Sequence, residues 1–373
     1  MKNIIVLGSG MVGSAIAIDM VHKHKVAVTD ISDKALQRVK EKCCDLRTLL
    51  LDVTDKQKLK EAIKPFDLVI CAVPGFLGFE TLRTIIEAGK NVVDISFFPE
   101  NSLSLDALAK EKKVTAIVDC GVAPGMDNII LGYYNEKFNV DFFECLVGGL
   151  PKLKKWPFNY KAPFSPIDVI EEYTRPARYV ENGKVVTKEP LSDIELINFE
   201  KVGTLESFNS DGLRTLIETM PHIPDMKEKT LRYPGHAEYI SILKSSGFFD
   251  LKKIEVNGTK LSPLEFTSKI LFKEWKLGEA EKELTIMRVT LKGTDETGER
   301  VSVVYNLYDE FSDKTSSMAR TTGYTATAAA NLFLEGLFVK KGVFPPELIG
   351  KEPGVFDYMM KYLYNRGVIY KKD

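Results

Sequence analysis

The run Gly8-Ser9-Gly10-Met11-Val12-Gly13 carries the clearest chemical signal in this chain. In a G-x-G-x-x-G spacing the first glycine turns the chain tightly, the second lets the backbone approach a pyrophosphate, and the third lets a helix pack closely on a strand. The helix opened by the motif aims unpaired N–H groups and the positive end of its dipole at the anion. Asp30 follows at the distance of a ribose-binding carboxylate, where it accepts from both adenosine ribose hydroxyls and repels a 2′-phosphate. Ile31-Ser32-Asp33 bring no arginine for such a phosphate, so NAD is expected over NADP. Asp30 also has the type and place to cap a helix starting near Lys34. Asp52-Val53 is expected at the adenine edge and Val73-Pro74 against ribose and nicotinamide, because ligands in open α/β sheets sit at strand carboxyl ends.

These residues need a scaffold, and the first third of the chain supplies one. Ile4–Leu7, Val26–Asp30, Leu49–Asp52, Leu68–Val73, Val92–Ile95 and Ala116–Asp119 read as short buried strands. Ser14–Val21, Asp55–Ile63, Phe79–Ala88 and Leu105–Lys112 have helical content between them. Strands alternating with helices predict an α/β, doubly wound parallel sheet of Rossmann type over residues 1–125. Beyond Gly125 the character changes. Met126–Lys137 reads as a helix, and Phe142–Val147 is β-rich. Residues 152–250 show few long periodic elements. Leu284–Leu291 and Arg300–Leu307 alternate around a glycine-bearing turn. These predict an inserted α+β substrate and dimerisation domain, residues 126–316, on a mainly antiparallel sheet. Ser317–Val339 reads as a long helix rich in small residues, opening a C-terminal stretch, 317–373, that returns over the nucleotide domain.

Composition narrows the function. The 373 residues hold 51 Lys+Arg against 52 Asp+Glu, a net charge of −1, which argues against a nucleic-acid partner. No apolar run is long enough for a membrane span, and the first residues are too short for a signal peptide. Five scattered cysteines and four histidines give no metal spacing and fit a reducing cytoplasm. No metal is expected.

Several segments together resemble the saccharopine dehydrogenase family. They are VLGSGMVGSAIA at 6–17, DCGVAPGMDNII at 119–130, VGGLP at 147–151, PFNYKAPFSP at 157–166, EEYTRPARYVENGK at 171–184, FNSDGLRTLIETMP at 208–221, KTLRYPGHAEYI at 229–240 and ARTTGYTATAAANLFLEG at 319–336. The resemblance covers nearly the whole chain and is similar to the lysine 6-dehydrogenase branch. It implies pyridine-nucleotide oxidoreduction at a C–N bond, a mixed-sheet second domain and a homodimer. Saccharopine-forming members read more like D-P-G-I-D-H where this chain has Ala123-Pro124-Gly125-Met126-Asp127-Asn128, a departure that favours the lysine 6-dehydrogenase branch. The implied reaction is NAD-dependent oxidative deamination of the ε-amino group of L-lysine, giving the semialdehyde, NADH and ammonia. A saccharopine-type or carboxylated-polyamine dehydrogenase is the alternative. A non-catalytic NAD sensor is the reading from another class.

Such a reaction needs an acid/base group, a cation for the α-carboxylate and an acceptor for the α-ammonium. His236 titrates near neutrality and is the first acid/base candidate, although a structural histidine fits equally. Lys161 is a second, and Asp127 a third, with helix capping as its simpler role. Arg214 or Arg232 suits bidentate carboxylate binding. Tyr160 and Asp94 complete the expected substrate contacts.

Overall fold

A computed structural model describes residues 1–373 apart from 164–165 and 279–280. The nucleotide domain is a seven-stranded parallel sheet. Its strands, in spatial order, are Gly342–Phe344, Thr115–Ile117, Val92–Asp94, Leu68–Cys71, Asn3–Leu7, Lys25–Asp30 and Arg47–Leu50. Ile4, Val6 and Ile70 pack into one apolar cluster and Ile5, Leu7 and Val69 into another. Both faces of the central strands are therefore covered, which is why they read as continuous apolar runs rather than alternations. The chain order reverses between Asn3–Leu7 and Leu68–Cys71, both parallel and in register at Leu7 and Cys71. A crevice opens at the carboxyl ends of strands at such a reversal.

The second sheet has nine strands and is mixed. Asn139–Pro151 lies parallel to Asp225–Arg232 and antiparallel to Glu283–Thr294, which pairs in turn with Arg300–Glu310. The stretch read as weakly periodic contains five strands: Ala177–Glu181, Lys184–Lys188, Glu195–Phe199, Gly203–Asn209 and Asp225–Arg232. Each is short, and the outer ones are largely exposed, so no long apolar pattern marks them.

The C-terminal stretch does more than supply helices. Gly342–Phe344 extends the nucleotide sheet and Tyr370–Lys372 extends the second one. The helix Ser317–Leu334 buries Ala319, Gly323, Ala326 and Ala328–Ala330. A Cβ at Gly323 would stand 3.3 Å from the Ile16 side chain, so the small residue brings this helix close to the helix Met11–Val21. One apolar cluster runs from Ile4 and Ile16 through Ala328 to Phe143 and Val289, joining both sheets. No helix among the described residues is long and apolar enough to cross a membrane.

Candidate active site

Gly8 has φ +99°, and a Cβ there would meet the Ala72 carbonyl oxygen at 2.4 Å; one on Gly13 would meet the Gly8 carbonyl oxygen at 2.1 Å. Only glycine allows the loop to sit against the neighbouring strand and the helix against the loop. Gly10 is different: among the described residues nothing lies within 4 Å of its would-be Cβ. It is the N-cap of Met11–Val21, with no side chain capping that terminus. The open space and the uncapped helix end fit a pyrophosphate. Asp30 accepts from the Ser9 N–H and hydroxyl through Oδ2, each 2.9 Å, and from the Ser32 N–H through Oδ1. Its carboxylate is thus fixed at the edge of the phosphate loop. Gly8 through Gly13, Asp30, Asp52, Val73 and Pro74 all line one cleft of about 1060 Å³. Val53 does not; it packs into the apolar layer beside Leu51, and Thr54 takes the cleft-facing place, bound to the Asp52 carboxylate. Arg38 also borders this half of the cleft, although it is too far along the chain from Asp30 for the sequence reading to have included it.

The opposite wall belongs to the second domain. Glu228, Thr230 and Arg232 alternate along the strand Asp225–Arg232 and face the cleft together, as period-2 strand geometry requires. Val147, Gly148 and Gly149 stand beside them. A Cβ on Gly148 would meet the Leu231 carbonyl oxygen at 2.5 Å, so the glycine permits close strand approach. The helix Pro166–Thr174 contributes Asp168, Glu171 and Glu172, and Arg175 follows it. Asp168 also accepts from the Gly75 N–H at 3.4 Å, tying this helix to the nucleotide domain. Arg232 is 2% exposed and donates to Glu172 at 2.8 Å, with its guanidinium 4.5 Å above the Tyr160 ring. Glu171 pairs with Arg175, and Asp211 with Arg178.

Several expected site residues stand elsewhere, each for a definable reason. His236 is buried at the start of the helix His236–Ser245 and does not reach the cleft. Its Nδ1 is 3.0 Å from the Phe158 carbonyl oxygen, which can only accept. Nδ1 therefore carries the hydrogen, and Nε2 accepts from the Tyr173 hydroxyl at 2.9 Å. Burial, reinforced by the Arg232 charge, pushes this imidazole down to about 3. It thus stands between a tyrosine hydroxyl and a backbone carbonyl, away from the cleft that holds the phosphate loop. Lys161 is turned away and donates to the Glu274 carbonyl at 2.6 Å. Tyr160 supports Arg232 from behind, outside the cleft lining. Asp94 is fully buried, caps the Ser96 N–H at 2.7 Å, and is pushed up to about 7 by burial. Asp127 is fully buried in the first turn of Met126–Asn135, where it accepts from the Gly125 N–H. Arg214 is also off the cleft: it donates to Asp119 at 2.8 Å and to the Phe98 carbonyl at 2.6 Å, strapping the two domains together. Of the two motif departures, Ala123 lines the cleft, whereas Asn128 points away and donates to Glu347. Cys120, next to Asp119, is fully buried, and burial raises its thiol well above its ordinary value.

Glu171, Glu172, Arg175, Asp211 and Glu228 were not singled out from the sequence. The alternation of Glu228, Thr230 and Arg232 within one strand was the available signal. It was hidden because no apolar pattern marked that strand.

Comparison with known proteins agrees with this architecture. Residues 4–117 match the family described as saccharopine dehydrogenase NADP binding domain, and residues 121–368 the saccharopine dehydrogenase C-terminal domain. The chain is 23% identical to a carboxyaminopropylagmatine dehydrogenase of Synechocystis, covering 95% of this chain and 94% of that one. It is 23% identical to the mitochondrial alpha-aminoadipic semialdehyde synthase of Rattus norvegicus, over 92% of this chain but only 45% of the relative, so it spans about half that protein. The fold matches apo saccharopine dehydrogenase (L-Glu forming) from Saccharomyces cerevisiae with a TM-score of 0.80 and 20% identity, covering 100% of this chain and 99% of that one. Its N-terminal third is thus a pyridine-nucleotide-binding domain facing a mixed-sheet partner across one cleft, and the chain belongs to the saccharopine dehydrogenase family.

Proposed function

We propose that this protein is an NAD-dependent dehydrogenase oxidising the carbon that bears the ε-amino group of L-lysine, with release of ammonia. One observation carries the reading. The cleft that begins at the phosphate loop ends on a wall where carboxylates outnumber cations: Asp168, Glu171, Glu172, Asp211, Glu228 and Glu281 against Arg175, Arg232, Lys276 and Lys314. Lysine brings one carboxylate and two ammonium groups, which suits such a wall. Saccharopine, with three carboxylates, suits it less well.

Arg232 is the group for the α-carboxylate. Tyr160 and Glu172 hold its guanidinium in one orientation, so little freedom is lost when a ligand binds. The wall's carboxylates take the ammonium groups. Asp30 supports NAD over NADP, because a fixed carboxylate at the ribose edge repels a 2′-phosphate. The nicotinamide, when bound, supplies the hydride acceptor. The chain's own part is to orient the amine-bearing carbon, exclude water and hold the amine's proton. The acidic wall equally favours a carboxylated polyamine, which also carries more amines than carboxylates, and the name of the Synechocystis relative supports that second reading. A homodimer in the cytoplasm remains the expected setting.

A panel of L-lysine, saccharopine and a carboxylated polyamine with NAD and with NADP separates these readings. Lysine giving equal NADH and ammonia supports the first. NADH from the polyamine alone transfers the assignment to the second. No reduction with any amine removes the dehydrogenase reading.

A further inference from the structure

Behind the acidic wall lies a buried acid cluster. Glu228 faces the cleft yet is only 4% exposed, while Asp127 and Cys145 are fully buried. Ligand-type atoms of these three side chains all lie within 4.8 Å of one another. Among the described residues, Oε2 of Glu228 and Oδ2 of Asp127 have no hydrogen-bond partner, and neither has the nearby Tyr370 hydroxyl. Among the described residues no cation pairs with Glu228. Its strand neighbours Lys227 and Lys229 are engaged by Glu144 and Glu195, and Arg214 is committed to Asp119. Asp211 and Glu172 also face it as carboxylates, and Glu347 stands behind Asp127. Glu171, Glu172 and Asp211 of the wall are each paired with an arginine, and Glu228 is not.

We propose that Glu228, backed by Asp127, receives the substrate's amino group in the cleft and takes its proton. The proposal rests on the amine-dehydrogenase reading and names the residue that reading leaves open. Two carboxyl groups this close and this dry do not both ionise without a cation. Burial and mutual repulsion raise both Glu228 and Asp127 above their ordinary range, so the empty pair retains a proton. An arriving ammonium is the missing countercharge. It favours ionised Glu228, and a proton leaves the pair for solvent. In the transfer itself the ammonium N–H bond breaks, its electron pair stays on nitrogen, and an O–H bond forms on Glu228. The products are a free amine and a neutral carboxylic acid. Asp127 is a positioning residue: it does not touch substrate, but its proximity sets which form Glu228 adopts. A metal would require Cys145 as a thiolate, and burial among carboxylates pushes that thiol well above its ordinary value.

The test joins infrared spectroscopy without ligand to calorimetry with L-lysine, 1,5-diaminopentane and L-norleucine in the presence of NADH, in two buffers of different ionisation enthalpy. At neutral pH the wild type should show a protonated-carboxyl band that is diminished in Glu228→Gln and in Asp127→Asn. The two amines should bind wild type with proton release, whereas norleucine, lacking the second amine, should release none. Glu228→Gln should bind the amines roughly 10- to 100-fold more weakly and lower turnover by roughly two to four orders of magnitude. Asp127→Asn should shift the acid limb of the pH profile; if Glu228→Gln does not fold, this variant carries the proton count. Amine binding with unchanged proton release in Glu228→Gln overturns the proposal alone. Failure of every amine to bind wild type overturns the amine reading and the proposal with it. Stoichiometric Zn²⁺ uptake that Cys145→Ser abolishes would assign the cluster to a metal instead.

Discussion

Arg214→Met distinguishes a strap between domains from a substrate clamp. The Arg214 and Asp119 side chains are 5% and 1% exposed, with Nε 2.8 Å from Oδ1. The same guanidinium donates to the Phe98 carbonyl and lies 4.9 Å from the Phe97 ring centroid. Methionine retains much of the packing but leaves Asp119 as a buried charge without its cation. Breaking one side of such a pair costs about 3–5 kcal/mol, which is a fall of roughly two to nearly four orders of magnitude in the folded-to-unfolded ratio. Denaturant unfolding followed by tryptophan fluorescence and by far-ultraviolet circular dichroism reads this directly. Asp119→Asn in the same background should recover part of the loss, because the orphaned charge is then gone. A substrate clamp predicts the reverse pattern: a raised KM and an unchanged unfolding midpoint. That result would refute the strap.

Three further outcomes follow from the site. Asp30→Ala removes a charged acceptor at the ribose edge, so NAD should bind roughly 10- to 100-fold more weakly and discrimination against NADP should shrink, as measured by nucleotide fluorescence titration. Gly13→Ala places a Cβ 2.1 Å from the Gly8 carbonyl oxygen; the loop must move, and both nucleotide binding and stability should fall, the latter by about 1–3 kcal/mol. His236 ionises more readily unfolded than folded, so its contribution to stability is complete above about 6.5 and declines as pH falls toward about 3. His236→Gln should flatten that acid-side decline in unfolding free energy, and the turnover profile should lack a limb that depends on His236.

The nucleotide domain was legible because its signals are local. A glycine spacing, an apolar run on each side and one carboxylate at a strand end sit within the first 30 residues, and the backbone itself makes the phosphate site. The substrate domain was not, because its wall is assembled from six separated segments. His236 shows the difficulty: a histidine beside a motif carries the right pKa in water, but burial, a tyrosine hydroxyl and a carbonyl fix it as neutral. Two hairpins were signalled and passed over. Asn182-Gly183 and Asn257-Gly258, all four at positive φ, each turn a pair of short strands, the favoured chemistry for a two-residue hairpin loop. The Glu228–Thr230–Arg232 alternation was visible in the same way, but only a paired strand reveals which face looks into a cleft.

Isotope transfer tests the central claim most directly. L-Lysine carrying two deuterium atoms on the ε-carbon, supplied with NAD, should give reduced nucleotide containing one deuterium and one equivalent of ammonia, both read by mass spectrometry and ammonia assay. Reduced nucleotide without deuterium, or none at all from lysine, would contradict oxidation of the ε-amino carbon in this cleft.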